Sequence, residues 1–243
     1  MRVVRGRRDT LAADRDASRR LLSIAADGGE PAVRVWTPHR QVAFGRRDAC
    51  LERYDHAREA ARGRGFSPLE RDVGGRAVAY DGTTTLAFAR AEPIADIRAG
   101  TTERYERATA DLERALDTLG LEPTRGEPDD SFCPGTHSLS VVDASTGGRR
   151  RRKIVGIAQR VRRGAALVAG VVLVANREEL AGVLEPVYDA LGVPLEPASI
   201  GTIADAGGPA DPAKVRTVIE DALVGDATAV SLEGVGDGDE RCH

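Results

Sequence analysis

Lysine is almost missing from this chain. Of the 35 basic residues in 243, only Lys153 and Lys214 are lysine and the other 33 are arginine. Such a bias is what a GC-rich genome imposes, so a lysine retained against it marks a position of interest. Long apolar runs are missing too. Nothing approaches the roughly 20 consecutive apolar residues that cross a bilayer, and the opening MRVVRGRRDT lacks the apolar centre of a signal peptide. A cytoplasmic protein with no membrane partner is expected. Cysteine is scarce: Cys50, Cys133 and Cys242 have no paired short spacing, which excludes a disulfide framework and a zinc site, and no metal is expected. Charge of one sign is lacking as well. A net charge of -3 gives no basic surface for nucleic acid, and none is expected as a partner.

What is present is patterned. Residues 16–26 carry apolar side chains at helical spacing, and AVRVWTPHRQVAFG alternates like two strands around a turn at Pro38. A second helix is predicted over 51–65, ended by Gly63 and Gly65. The stretch from Ser67 to Pro93 reads as strand, Gly-Gly turn, strand, turn, strand, which predicts a meander. Residues 102–119 form the clearest amphipathic helix, with Tyr105, Ala108, Leu112, Ala115, Leu116 and Leu119 on one face and Gly120 as its stop.

A Pro/Asp/Gly-rich loop then leads to the strand HSLSVVDA, a turn at STGG, an arginine run read as a solvated turn, and two strands, KIVGIAQRV and AALVAGVVLV, joined near Gly164. Helices are predicted at 177–192 and 212–225, separated by a Gly/Pro-rich linker. The expected division is a main domain over 1–192, a short helical appendage over 193–230 and a disordered tail over 231–243, with Cys242 and His243 uninformative in it. Adjacent strands on short turns with helices between them predict an α+β fold, a mainly antiparallel sheet with flanking helices.

Three segments carry candidate chemistry. Gly74-Gly75, between strands, exposes backbone N–H groups to an anionic or carbonyl ligand, or is simply a hairpin turn. Lys153 stands where an apolar strand begins, and its compact ammonium suits a carbonyl or phosphate oxygen. Gly156 would let a ligand come close to that strand. Cys133, with His137 four residues on, reads either as a nucleophile or as a small buried hydrophobe. Cys50 has no such neighbours.

Taken in order, these segments resemble the lipoate-protein ligase and octanoyltransferase family within the biotin/lipoyl ligase superfamily. The family pattern R-x-W-x-P…x-G-R is met by Arg34, Trp36, Pro38, Gly45 and Arg46. The loop R-R-x-(S/T)-G-G-(G/R)-A-V-x-H-D is met by Glu70 to Asp81, and K-(I/V)-x-G-x-A-Q-R, the most specific motif, by Lys153 to Arg160.

The resemblance implies a fold like that of class II aminoacyl-tRNA synthetases and biotin synthetases, and protein lipoylation: transfer of a lipoyl or octanoyl group to a lysine of lipoyl carrier domains. It implies as partners the carrier domains of 2-oxoacid dehydrogenases or the glycine-cleavage H protein, and a lipoate or octanoyl donor. It implies Lys153 at the acyl carbonyl or the adenylate phosphate, with Arg71, Gly74, Gly75, Arg76, Ala77, Gly156 and Ala158 in substrate binding. No tightly bound cofactor is implied; ATP and Mg2+ are co-substrates in the ligase branch. A second branch uses a cysteine about 15 to 20 residues before the lysine to form a thioester, and Cys133 precedes Lys153 by 20. The chain departs from the pattern at Glu70 for arginine, Val73 for the hydroxyl residue and Tyr80 for histidine, substitutions that remove phosphate or carboxylate contacts and so count against ATP use. Biotin ligation and a non-catalytic module that binds lipoyl groups or lipoyl domains are the alternative readings.

Overall fold

The computed structural model describes residues 1–71, 73–143, 150–227 and 230–234. The turn expected at STGG, and Arg149, lie outside the described residues. The chain runs β1 (Arg2–Arg5), α1 (Leu11–Gly28), β2 (Ala32–Trp36), β3 (Gln41–Phe44), α2 (Arg46–Ala49), α3 (Tyr54–Gly63), β4 (Ser67–Glu70), β5 (Val78–Tyr80), β6 (Thr85–Pro93) and α4 (Thr101–Thr118). It continues with β7 (Thr124–Arg125), β8 (Ser138–Val142), β9 (Arg151–Arg162), β10 (Ala165–Leu173), α5 (Arg177–Leu191), α6 (Pro212–Val224) and β11 (Ser231–Gly234).

Among the described residues these strands form an eight-stranded sheet, β11-β1-β2-β6-β10-β9-β8-β7, and a three-stranded one, β4-β3-β5. The large sheet is antiparallel except where β1 lies parallel to β2 and β11. The expected α+β architecture is therefore present, but the expected meander is not. β4 and β5 each pair with β3, one parallel and one antiparallel, while β6 crosses to the large sheet and pairs with β2 and β10. Alternation within a strand shows which side chains share a face but not which strand lies alongside.

Helix α1 starts where the Thr10 side chain accepts from the Ala13 N–H at 3.2 Å, an N-cap that satisfies one otherwise free donor. Its apolar face, Leu21, Leu22 and Ala25, packs on Ala89, Ala91, Ala165 and Leu167 of the sheet. On the opposite face, Leu112, Ala115 and Leu116 of α4 meet Val215, Ile219 and Leu223 of α6 over Val33, Leu86 and Val172. The segment expected as an appendage thus shares the main core. A further cluster joins the small sheet to α3 and α5.

The arginine run is not wholly a solvated turn. Arg152 is buried and pairs with Asp143 at 2.7 Å, because a buried guanidinium requires a counter-charge. Nor are residues 231–234 part of a disordered tail, since they add a parallel strand to β1. Cys242 and His243 lie outside the described residues.

Candidate active site

At Gly75 the Gly-Gly loop packs so closely on its surroundings that a side chain is excluded. A β-carbon on Gly45, at the start of α2, would lie 1.7 Å from the Gly75 carbonyl oxygen. One on Gly75 itself, whose φ is 102°, would lie 2.5 Å from Arg71 Nη2 and 2.6 Å from Cys133 Sγ. Only glycine permits both that backbone conformation and that approach. The loop is therefore more than a hairpin turn: it seats a thiol. Gly74 faces open space.

Cys133 Sγ accepts hydrogen bonds from Arg71 Nη2 at 3.0 Å and from the Arg76 N–H at 3.3 Å. Arg71 Nη2 also donates to the Arg76 carbonyl at 2.6 Å, and Arg76 pairs with the buried Asp48 at 3.1 Å. The cysteine backbone is held in the left-handed region, at φ 43°. Its N–H donates to Tyr188 Oη at 2.6 Å, and that hydroxyl donates to the Ala77 carbonyl at 2.9 Å. His137, weighed as the partner of Cys133, instead stacks on Tyr105 with ring centroids 4.0 Å apart.

Lys153 is 0% exposed. Its ammonium donates to Glu127 Oε2 at 2.5 Å and to the carbonyls of Phe132 and Cys133, each at 2.8 Å. An ammonium has three protons, and all three are used on the loop that carries Cys133. Gly156 leaves room for this, since a β-carbon there would stand 3.5 Å from Lys153 Cε.

These contacts fix the electrostatics. Burial pushes the Cys133 thiol up, but the charges of Arg71 and Lys153 and the hydrogen bonds from Arg76 and Arg71 outweigh it and hold the thiol below its ordinary value. Burial also lowers Lys153, against the opposing pull of Cys133 and Glu127. Tyr80 is pushed up to about 12, chiefly by burial, so its phenol stays protonated.

Arg71 also lines a cavity of about 160 Å3. Ala87, Ala89, Ala158 and Ala169 line it as small side chains from β6, β9 and β10, and Trp36, Val73 and Leu22 add apolar surface. Tyr80 also lines it, and Arg71 is the residue that cavity and thiol have in common. Val73 and Tyr80, two of the departures from the family pattern, are thus cavity lining, while Glu70 accepts from Tyr54 Oη at 3.2 Å.

Of the expected residues, the structure brings Arg71, Gly75, Arg76, Cys133 and Lys153 together, with Ala77 holding Tyr188, Gly156 beside the lysine and Ala158 in the cavity. Sequence reasoning missed Glu127 and Tyr188. The first sits in a loop rich in acidic residues, and the second reads as one more core residue of α5. No helix among the described residues is long and apolar enough to cross a membrane.

The model of the lipoyl protein ligase A/B catalytic domain matches residues 14–224. An octanoyl-[GcvH]:protein N-octanoyltransferase of Exiguobacterium sibiricum is 32% identical over 136 residues, covering 55% of this chain and 48% of the relative. One of Geobacillus kaustophilus is 30% identical over 149 residues, 60% of this chain and 48% of the relative. The chain thus aligns with about half the length of these relatives. Among solved structures, a lipoate-protein ligase A bound with ATP has a TM-score of 0.68 at 18% identity, over 92% of this chain and 83% of that one. The bipartite lipoate-protein ligase of Thermoplasma acidophilum has a TM-score of 0.66 at 18% identity, over 96% of this chain and 85% of that one. These two likenesses establish the fold. With its family match over most of its length, this chain belongs to the lipoyl protein ligase A/B catalytic domain family.

Proposed function

We propose that this protein is an acyltransferase that passes an octanoyl or lipoyl group through Cys133 to a lysine of a lipoyl carrier domain. The observation that carries the reading is the Cys133 thiol, held between Arg71 Nη2 and the Arg76 N–H, with Arg71 also lining a largely apolar cavity. Cys133 enters as the thiolate, its proton released to solvent. Sulfur attacks the carbonyl carbon of the bound acyl donor, the new C–S bond forms, and the bond from that carbon to the donor breaks. The donor's leaving atom takes up a proton as it departs. A neutral lysine amine of the acceptor then attacks the thioester; the C–N bond forms, the C–S bond breaks, and the ammonium proton is lost as the Cys133 thiolate returns.

Arg71 and the Arg76 N–H stabilise the sulfur as the anion that attacks in the first half and leaves in the second, and Lys153 contributes its charge while gripping the loop. The alanine-lined cavity takes the acyl chain. The names of the relatives support octanoyl-GcvH as the donor and a protein as the acceptor; the acceptors proposed are the lipoyl domains of 2-oxoacid dehydrogenases. The proposal places the protein in the cytoplasm, where a thiol stays reduced.

The test is to incubate the protein with octanoyl-GcvH or octanoyl-carrier protein and search by mass spectrometry for a hydroxylamine-labile adduct on Cys133. The adduct is expected, together with loss of transfer in Cys133→Ser. A carrier modified only with ATP, Mg2+ and lipoate while Cys133→Ser remains active would establish the ligase route instead. Tight lipoyl-domain binding without turnover from any donor would establish a binding module.

A further inference from the structure

The loop that presents Cys133 is also held by Glu127, a residue the proposed transfer steps do not use. Glu127 Oε2 accepts from Lys153 Nζ at 2.5 Å and from Ser138 Oγ at 2.9 Å, and its Oε1 accepts from the Gly135 N–H at 2.7 Å. Residues 127 and 138 thus form the two ends of a closed clasp. Lys153 grips the carbonyls of Phe132 and Cys133 in the middle, while Glu127 holds the lysine and the outgoing limb. The loop needs that grip, since Asp130 at φ 50° and Cys133 at φ 43° both stand in a region that side chains disfavour.

We propose that Glu127 is a positioning residue for Cys133: its carboxylate clasps Lys153, Gly135 and Ser138 so that the thiol sulfur stays seated between Arg71 and the Arg76 N–H. The inference rests on the reading of Cys133 as the nucleophile, but it concerns the placement of the sulfur, and placement can be measured without any acyl transfer.

The charged and titratable groups around the sulfur come from every element packed on it. Arg71, and Arg76 with Asp48, belong to the Gly-Gly loop and α2; Tyr80 to β5, Tyr105 to α4, Lys153 to β9 and Tyr188 to α5. This surrounding makes the sign of the effect diagnostic. Removing a carboxylate for its charge alone would favour the thiolate and lower the pH at which the thiol ionises. Releasing the sulfur from Arg71 and the Arg76 N–H does the reverse.

The experiment follows the rate of Cys133 alkylation by iodoacetamide against pH in the full chain, with Cys50→Ser and Cys242→Ser as background, for Glu127→Gln and for the milder Ser138→Ala. The ionisation midpoint is expected to rise by about one pH unit in Glu127→Gln, slowing alkylation at pH values below the parent's midpoint by about tenfold. A smaller rise of the same sign is expected in Ser138→Ala, which keeps the carboxylate and so guards against a variant that fails to fold. A midpoint that is unchanged or lowered in both variants overturns the proposal. Loss of acyl transfer is a separate readout: if no variant or parent transfers an acyl group, the functional reading fails while the alkylation result still decides the role of Glu127.

Discussion

The Sγ of Cys133 lies 2.6 Å from the point where a β-carbon on Gly75 would stand. The two residues are 58 positions apart in the chain, and the space one lacks is the space the other uses. Gly75→Ala should therefore displace both the thiol and Arg71, and its φ of 102° adds backbone strain. Transfer activity is expected to fall about a hundredfold, as it does when a reacting atom moves by an ångström. Steady-state kinetics check this, and Gly74→Ala, at open space, is the matched control with little loss.

Arg71→Met removes the charge and the 3.0 Å hydrogen bond that hold the thiol low. A lowered thiol forms its thiolate at lower pH, so in the parent protein the alkylation rate should level off below the pH where a free cysteine does. In Arg71→Met the plateau should move to higher pH, with alkylation below the parent's midpoint slower by about tenfold. The pH profile of iodoacetamide labelling measures it.

Lys153→Met leaves Glu127 without its cation and two loop carbonyls without a donor. Breaking a buried ion pair from one side costs about 3–5 kcal/mol, so a clear fall in Tm is expected by calorimetry along with loss of activity. Lys153→Arg should not restore it, because the planar guanidinium cannot meet three acceptors that surround a point charge.

Ala158→Leu fills the cavity from β9. The catalytic efficiency with an octanoyl donor should fall by about tenfold or more, the scale on which apolar pockets discriminate chain size. A butanoyl donor should be affected less. Competition between the two donors reads this out directly.

Much of this architecture was legible from local pattern. The helix over residues 101–118 announces itself through an apolar stripe and a terminal glycine, and the β9–β10 pair through two apolar runs joined at Gly164. The meander failed because pairing partners are chosen across the fold: β3 sits between β4 and β5, and β6 leaves for another sheet.

The site divides in the same way. Gly75 and Lys153 stand out by residue type, yet Lys153 faces inward to Glu127 and two carbonyls rather than outward with a free donor. Tyr188 could not be read at all, since its hydroxyl matters only once α5 packs behind the Cys133 loop.

Everything that makes the Cys133 sulfur unusual arrives from distant parts of the chain: Arg71 after β4, Lys153 on β9 and Tyr188 on α5. Before those segments meet, a thiol at position 133 is an ordinary one. A nascent or misassembled chain therefore carries only an ordinary thiol at this position, and the labelling rate of this one cysteine reports, in a single number, whether those segments have come together.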